Sequence, residues 1–251
     1  MRFPKGAVLI SPLKDIPLLL QVLHCQFITH DQLFEFMQRR LIENTRAPFN
    51  WRVRRLVASG LLERRSVQSA APSPIYSVTN EGAVRLADHY PVLDGRRHRN
   101  ASAYANLVHS LELTGLHLSL IRQGVLVDWE SEMSIRAKNE LTSAGYVKDY
   151  DAIVTARIRN RSIPFALEYE RTVKKYRDYV RIRSLLEQER HVRSFLYIVP
   201  ESKLISFLLD CFNKTTAALY IGLASDFARS LGDMSVIEAR TGLMKQLSTV
   251  L

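Results

Sequence analysis

The chain has 251 residues, 47% of them hydrophobic, with 35 Lys+Arg against 25 Asp+Glu, a net charge of +10 and a pI near 9.8. That length suggests one large or two small domains with real cores, and without 18 consecutive uncharged apolar residues no membrane span is expected. The surplus charge sits early: the first hundred residues hold 15 Lys+Arg against 8 Asp+Glu, nearly all of it arginine. A guanidinium fork suits phosphate and guanine, although RNA or an acidic protein would also satisfy a basic domain.

Several chemistries lack their usual residues. There is no G-x-x-x-x-G-K-[ST] phosphate loop, no G-x-G-x-x-G and no G-x-S-x-G elbow. Cys25 and Cys211 are far apart among apolar neighbours, which reads as two buried thiols in a reducing cytoplasm. No Cys/His cluster has zinc spacing. The N-terminal run MRFPKGAVLISPLKD is broken by Pro12 and lacks the apolar core and cleavage site of a signal peptide.

A first helix is expected from about Leu13 to His24, with Ile16, Leu19, Leu20 and Leu23 as its apolar face. Thr29 and Gln32 form a T-x-x-Q capping box that starts a second helix near His30, with Leu33, Phe34, Phe36 and Met37 facing the core. A third helix is expected from about Asn50 to Ser59, closed by Gly60. Its core face is Phe49, Val53, Leu56 and Val57. Arg52, Arg54 and Arg55 lie off that face and are expected to point outward, and Trp51 is expected to pack. Two strands, LLERRSV and IYSVT, flank a QSAAPSP loop, and a helix from Glu81 to His89 closes the unit.

Three helices followed by a hairpin resemble a winged helix-turn-helix domain. The residues that carry the resemblance are FNWRVRRLVASGLLERR and PIYSVTNEGAVRLA. It implies double-stranded DNA as partner, with the third helix in the major groove and the wing on the backbone. Arg52 and Arg55 would then make base or groove contacts and Arg54 would hold phosphate. Arg64 and Arg65 would hold phosphates at the base of the wing. Surface arginines that merely solvate a short helix are the alternative.

Domain boundaries are expected at 10–90 for this unit, 91–103 for a linker with the run RRHR, and 104–251 for the rest. In the second domain a helix is expected at about Tyr104–Gln123 and strands at Val125–Trp129 and near Met133–Ala137. A strand opened by Asp151 pairs with the strand FALEYE in a hairpin, and a helix follows from Thr172 to Arg190. The strand SFLYIVP, a helix at about Glu201–Phe212, the strand AALYIGLA and a weakly patterned tail complete the chain. The expected class is α+β, with a winged helix followed by an α/β domain around a central mixed sheet.

Glu168 and Glu170 lie two apart in FALEYE, so they share one face of the strand, opposite Phe165, Leu167 and Tyr169. Paired carboxylates on an apolar strand cost desolvation and mutual repulsion. A third carboxylate nearby would make a site for a hard divalent cation. Pairing of these glutamates with Arg171 or Lys174 is the alternative. His109, one turn before Glu112, reads more simply as a packing residue, and Glu130 and Glu132 are second choices for a carboxylate cluster.

The pattern D-x16-E-x-E, preceded by a helix carrying Glu112, resembles the PD-(D/E)XK nuclease superfamily. The resemblance implies that Asp151 and Glu168 hold Mg²⁺ and that Glu112 supports them. Glu170 stands where most members place lysine and Tyr150 where they place proline, and Lys174 could lend the missing cation. The two halves together resemble the replication-relaxation family of plasmids and mobile elements, most strongly at YDAIV, FALEYERT and SFLYIVP. The expected function is a cytoplasmic DNA-binding protein of such an element, acting in replication, mobilisation or transcription control, with a homodimer mate or another DNA-processing protein as further partner. A Mg²⁺-dependent endonuclease using Asp151, Glu168 and Glu170 is the alternative, and a repressor with a ligand-sensing second domain is a third.

Overall fold

The computed structural model describes residues 9–87 and 103–251. The fold is mixed α+β, and the chain divides into two units, Met1–Thr114 and Gly115–Leu251. The division falls inside helix α5 (Ala103–Arg122). The expected linker at 91–103, with its RRHR run, lies outside the described residues except for Ala103. Among the described residues no helix is long and apolar enough to cross a membrane.

The first unit runs α1 (Asp15–Cys25), β1 (Ile28–Thr29), α2 (His30–Arg39), α3 (Arg46–Ala58), β2 (Leu62–Arg65), β3 (Ile75–Val78) and α4 (Asn80–Ala87), then enters α5. Thr29 starts α2 as its sequence predicts. Its hydroxyl accepts from Gln32 N at 3.2 Å, and Gln32 Oε1 accepts from Thr29 N at 3.1 Å. Two otherwise unsatisfied donors of the first turn are thereby used. Leu33, Phe34, Phe36 and Met37 are buried as expected.

α3 begins at Arg46, about a turn before the expected Asn50. It ends where Gly60 takes φ +73. Leu61 N then donates to Leu56 O and Gly60 N to Val57 O, each at 3.0 Å, a Schellman closure that needs a left-handed residue at Gly60. Phe49, Val53 and Leu56 are fully buried; Val57 is half-buried. The two expected strands pair from Leu62↔Val78 to Arg65↔Ile75, and β1 adds a third, Ile28↔Tyr76. α4 approaches so closely that a Cβ on Gly82 would sit 2.2 Å from Leu61 O.

The second unit contains β4 (Leu126–Ser131), α6 (Glu132–Leu141), β5 (Ala152–Ile158), β6 (Arg161–Tyr169), α7 (Tyr176–Gln188), β7 (Ser194–Val199), α8 (Lys203–Phe212), β8 (Ala218–Leu223), α9 (Ala224–Arg229), β9 (Ser235–Glu238), β10 (Met244–Gln246) and α10 (Leu247–Val250). Seven strands form one mixed sheet in the order β10-β9-β8-β7-β6-β5-β4. β6, β7 and β8 are parallel, joined through α7 and α8, and the outer pairs are antiparallel. β4 carries a register irregularity between Leu126 and Asp128. β5 and β6 turn through Arg159 (φ 47) and Asn160 (φ 64), the positive pair that a two-residue hairpin matched to strand twist requires. One face of the sheet packs Tyr197, Phe195 and Val199 against Tyr179 and Leu186 of α7 and Leu208 and Phe212 of α8.

Three expectations are corrected here. The segment Met133–Ala137 is not a strand but part of α6, which Ser131 starts by accepting from Ser134 N. α7 begins at Tyr176 rather than Thr172. The tail is not featureless: it supplies α9, the antiparallel pair β9–β10 and α10.

Candidate functional site

The hairpin β5–β6 fixes the geometry of the carboxylates. Ala152 is paired with Leu167, so carrying the register on by one residue sets Asp151 across from Glu168. Asp151 Oδ2 accepts from Tyr169 N at 2.7 Å, which locks its side chain to the end of β6. Glu168 is in register with Tyr197 of β7. Glu168 and Glu170 are both buried, at 9% and 4% exposure.

Each glutamate has a lysine. Lys148 Nζ donates to Glu168 Oε1, and Lys174 Nζ donates to Glu170 Oε2. The pairing of Glu170 with Lys174, the alternative to a shared metal site, is therefore what the structure adopts. Asp151 and Glu168 come together and Glu170 is engaged separately. Among the described residues no group of three or more His, Cys, Asp or Glu is disposed to hold a metal ion. Two adjacent carboxylates still suit Mg²⁺, which keeps several waters and is commonly held by one or two carboxylates plus substrate phosphates. Glu112 falls in the first unit, half-buried on α5 with His109.

Burial raises the Glu168 carboxyl strongly; Lys148 opposes this, the charge of Asp151 reinforces it, and the result is pushed up to about 7. Beside it, Tyr197 is fully buried, and its hydroxyl has no hydrogen-bond partner among the described residues. Burial, and then the charges of Glu168 and Glu170, hold that phenol neutral, well above its ordinary value. The centre thus brings together two carboxylates, an ammonium and a neutral phenol.

Lys148 is the residue that sequence reasoning missed. Its placement depends on Glu189, at the end of α7. Glu189 Oε2 accepts from Val147 N (3.1 Å) and Tyr150 Oη (3.0 Å), and Oε1 accepts from Arg190 N and His191 N (both 2.8 Å). The two bonds to Oε2 tie the 147–150 segment to the end of α7, and the two to Oε1 hold the carboxylate in place. Lys148 Nζ then lies 4.5 Å from the centroid of the Tyr150 ring and donates to Asp149 O at 3.1 Å. The second-choice carboxylates serve elsewhere: Glu130 accepts from Tyr146 Oη at 2.7 Å, and Glu132 pairs with Arg136.

The first unit redistributes the arginines. Arg52, expected to face outward for groove contact, is buried. Its Nη1 donates to Asp15 Oδ1 at 2.7 Å and its Nε to Glu43 Oε1 at 2.6 Å. Two buried carboxylates draw it inward, so that expectation is corrected. Arg55 is half-buried. It pairs with Asp15, donates to Leu9 O at 2.7 Å and lies 5.1 Å from the Trp51 ring centroid. Burial alone would raise Asp15, but hydrogen bonds from Arg55, Ser11 N and Arg52 outweigh it and hold the carboxyl below its ordinary value.

Arg54 is exposed as expected. Trp51, expected to pack, is instead 60% exposed. On the hairpin Arg64 is exposed, while Arg65 makes a two-bonded pair with Glu63 at 3.0 and 2.9 Å. No family model, curated protein or solved structure compared with this chain matches it.

Proposed function

We propose that this protein binds duplex DNA in the cytoplasm, with its first unit acting as a winged helix-turn-helix. In this reading α2 and α3 form the helix-turn-helix and β2–β3 the wing. The observation that carries it is the division of labour along α3. Arg52 is tied inward to Asp15 and Glu43, which fixes the helix, while Trp51 and Arg54 remain in solvent on the same helix. Arg54 and Trp51 would meet the groove and Arg64 would hold phosphate from the wing. Arg55 and Arg65 contribute less, because each already serves a carboxylate. Replication, mobilisation or transcription control on a mobile element is the setting that the resemblance in YDAIV, FALEYERT and SFLYIVP suggests.

The test is binding of the full chain to a library of duplexes, followed by affinity measurement on an enriched sequence. Arg54→Ala/Arg64→Ala is expected to lose about 1–3 kcal/mol on that sequence for each base contact removed, with the circular dichroism of the fold unchanged. Unaltered selectivity in the double variant would sink the assignment.

A second reading is favoured by the meeting of Asp151 and Glu168 beside the Lys148 ammonium. Here the second unit is a metal-dependent endonuclease. Asp151 and Glu168 would hold Mg²⁺ once Lys148 releases Glu168, and the bound ion would activate water and offset charge on the phosphodiester. Metal-dependent nicking of supercoiled plasmid that Asp151→Ala and Glu168→Ala each abolish, with DNA binding intact, supports it. Binding without nicking leaves the protein a DNA-binding factor.

A further inference from the structure

The charges of α7 run against the helix they sit on. Between residues 171 and 183 the chain carries six Lys or Arg and one acidic residue, Asp178, and its glutamates Glu187 and Glu189 come at the far end. Cations near a helix start and anions near its finish both oppose the macrodipole. Arg177 and Arg181 are also four apart, a spacing at which like charges repel. The arrangement therefore costs helix stability, which Asp178 in the first turn, three residues before Arg181, offsets only in part. Among the described residues none of Lys175, Arg177 and Arg181 has an ion-pair partner, and all three are exposed.

The segment leading into the helix is held in place. Lys174 N donates to Tyr179 Oη at 3.1 Å, and the Lys174 ammonium is fixed on Glu170. Tyr179 itself is fully buried against Phe207 and Phe212. Lys175, Arg177 and Arg181 are thus presented by a rigid element, with the ring of Tyr176 54% exposed among them.

We infer that the exposed face of α7 is a second nucleic-acid contact surface, in a unit distinct from the helix-turn-helix, that grips the phosphate backbone without reading sequence. Repeated cations around an exposed aromatic are the chemistry of a phosphate chain with bases beside it. An anionic membrane is the poorer fit. Interfacial helices insert a continuous apolar face, whereas the apolar face of α7, Tyr179, Ile182 and Leu186, is packed on the sheet. The inference does not depend on α3 being a recognition helix.

The test uses the full chain with a 20-base-pair duplex and a 20-nucleotide single strand, both of arbitrary sequence, and phosphatidylserine vesicles. Affinity is measured against salt for the wild type, Arg177→Ser/Arg181→Ser and a charge-matched control, Arg157→Ser/Arg240→Ser. Loss of two phosphate contacts should flatten the log–log salt slope on the duplex by about 1.8, equally on every sequence, while the control keeps the wild-type slope. The α7 variant should melt at or above the wild-type temperature, because it removes an unfavourable helix charge pattern. An unchanged slope, an equal loss in the control, or binding to vesicles alone would overturn the inference. Failure of the helix-turn-helix reading looks different: selectivity would survive Arg54→Ala/Arg64→Ala while the α7 dependence on arbitrary DNA remained.

Discussion

Arg52 on α3 reaches Asp15 on α1 with Nη1 2.7 Å from Oδ1, and the same guanidinium reaches Glu43 in the turn before α3 at 2.6 Å. One planar fork thereby joins two helices and a turn through carboxylates that are 0% and 2% exposed. Arg52→Ala would leave Asp15 to Arg55 and Ser11 N and Glu43 to Lys14 at 3.8 Å, and removing one partner of a buried pair typically costs about 3–5 kcal/mol. Urea unfolding should show that loss. Arg52→Lys should recover little of it, because one ammonium cannot span two acceptors as a fork does.

Asp15 sets a pH limit on the same unit. Its carboxyl is held below its ordinary value of 3.8, so its contribution is fully present above that value and is lost as pH falls through the lower folded-state pKa. Asp15→Asn should therefore be destabilised at pH 7, and the gap to wild type should close below about pH 4. Thermal melts of both proteins across about pH 2.5–7 would read this directly. A gap that stays constant with pH would contradict the ion-pair account.

Glu168 behaves oppositely. Its folded-state carboxyl is pushed up to about 7 from 4.5, so the folded form takes up the proton first. Stability from this group is complete below pH 4.5 and is lost as pH rises through about 7. Glu168→Gln, which stays neutral, should gain on wild type as pH rises through that window. Urea midpoints measured at both ends of the window test it.

Gly82 admits no side chain. A Cβ there meets Leu61 O at 2.2 Å and Val78 Cγ1 at 2.8 Å, and the nearer atom is backbone that cannot rotate away. Gly82→Ala should destabilise the first unit by roughly 1–3 kcal/mol, despite the better helix propensity of alanine. A stabilised variant would show that α4 can slide off Leu61.

What the sequence reveals here is mostly local. The Thr29–Gln32 box, the closing Gly60 and the buried stripe Phe49, Val53, Leu56 are each set by residues within one or two turns, and each is found in place. The hairpin that brings Asp151 to Glu168 was legible for a similar reason, since alternation and a short turn leave few registers. The partners of Arg52 lie 37 and 9 residues away, and no spacing along α3 announces them. Its helical position looks no different from that of an exposed arginine. Lys148 was invisible because a loop, held by Glu189 from another element, delivers it. Trp51 misled because aromatic size usually predicts burial. β9 and β10 escaped because strands of four and three residues offer almost no period to detect.

The two ends of the seven-stranded sheet bear on how copies of this protein can meet. An unpaired strand is a template for another chain, and both end strands resist that use. β4 is broken by its register shift and sets Asp128 in solvent beside Trp129 and Glu130. β10 is only three residues long and carries Lys245, whose ammonium is fixed on Glu238 at 2.7 Å. Neither offers a long flat row of free amides. A symmetric pair built by fusing two of these seven-stranded sheets into one is therefore disfavoured.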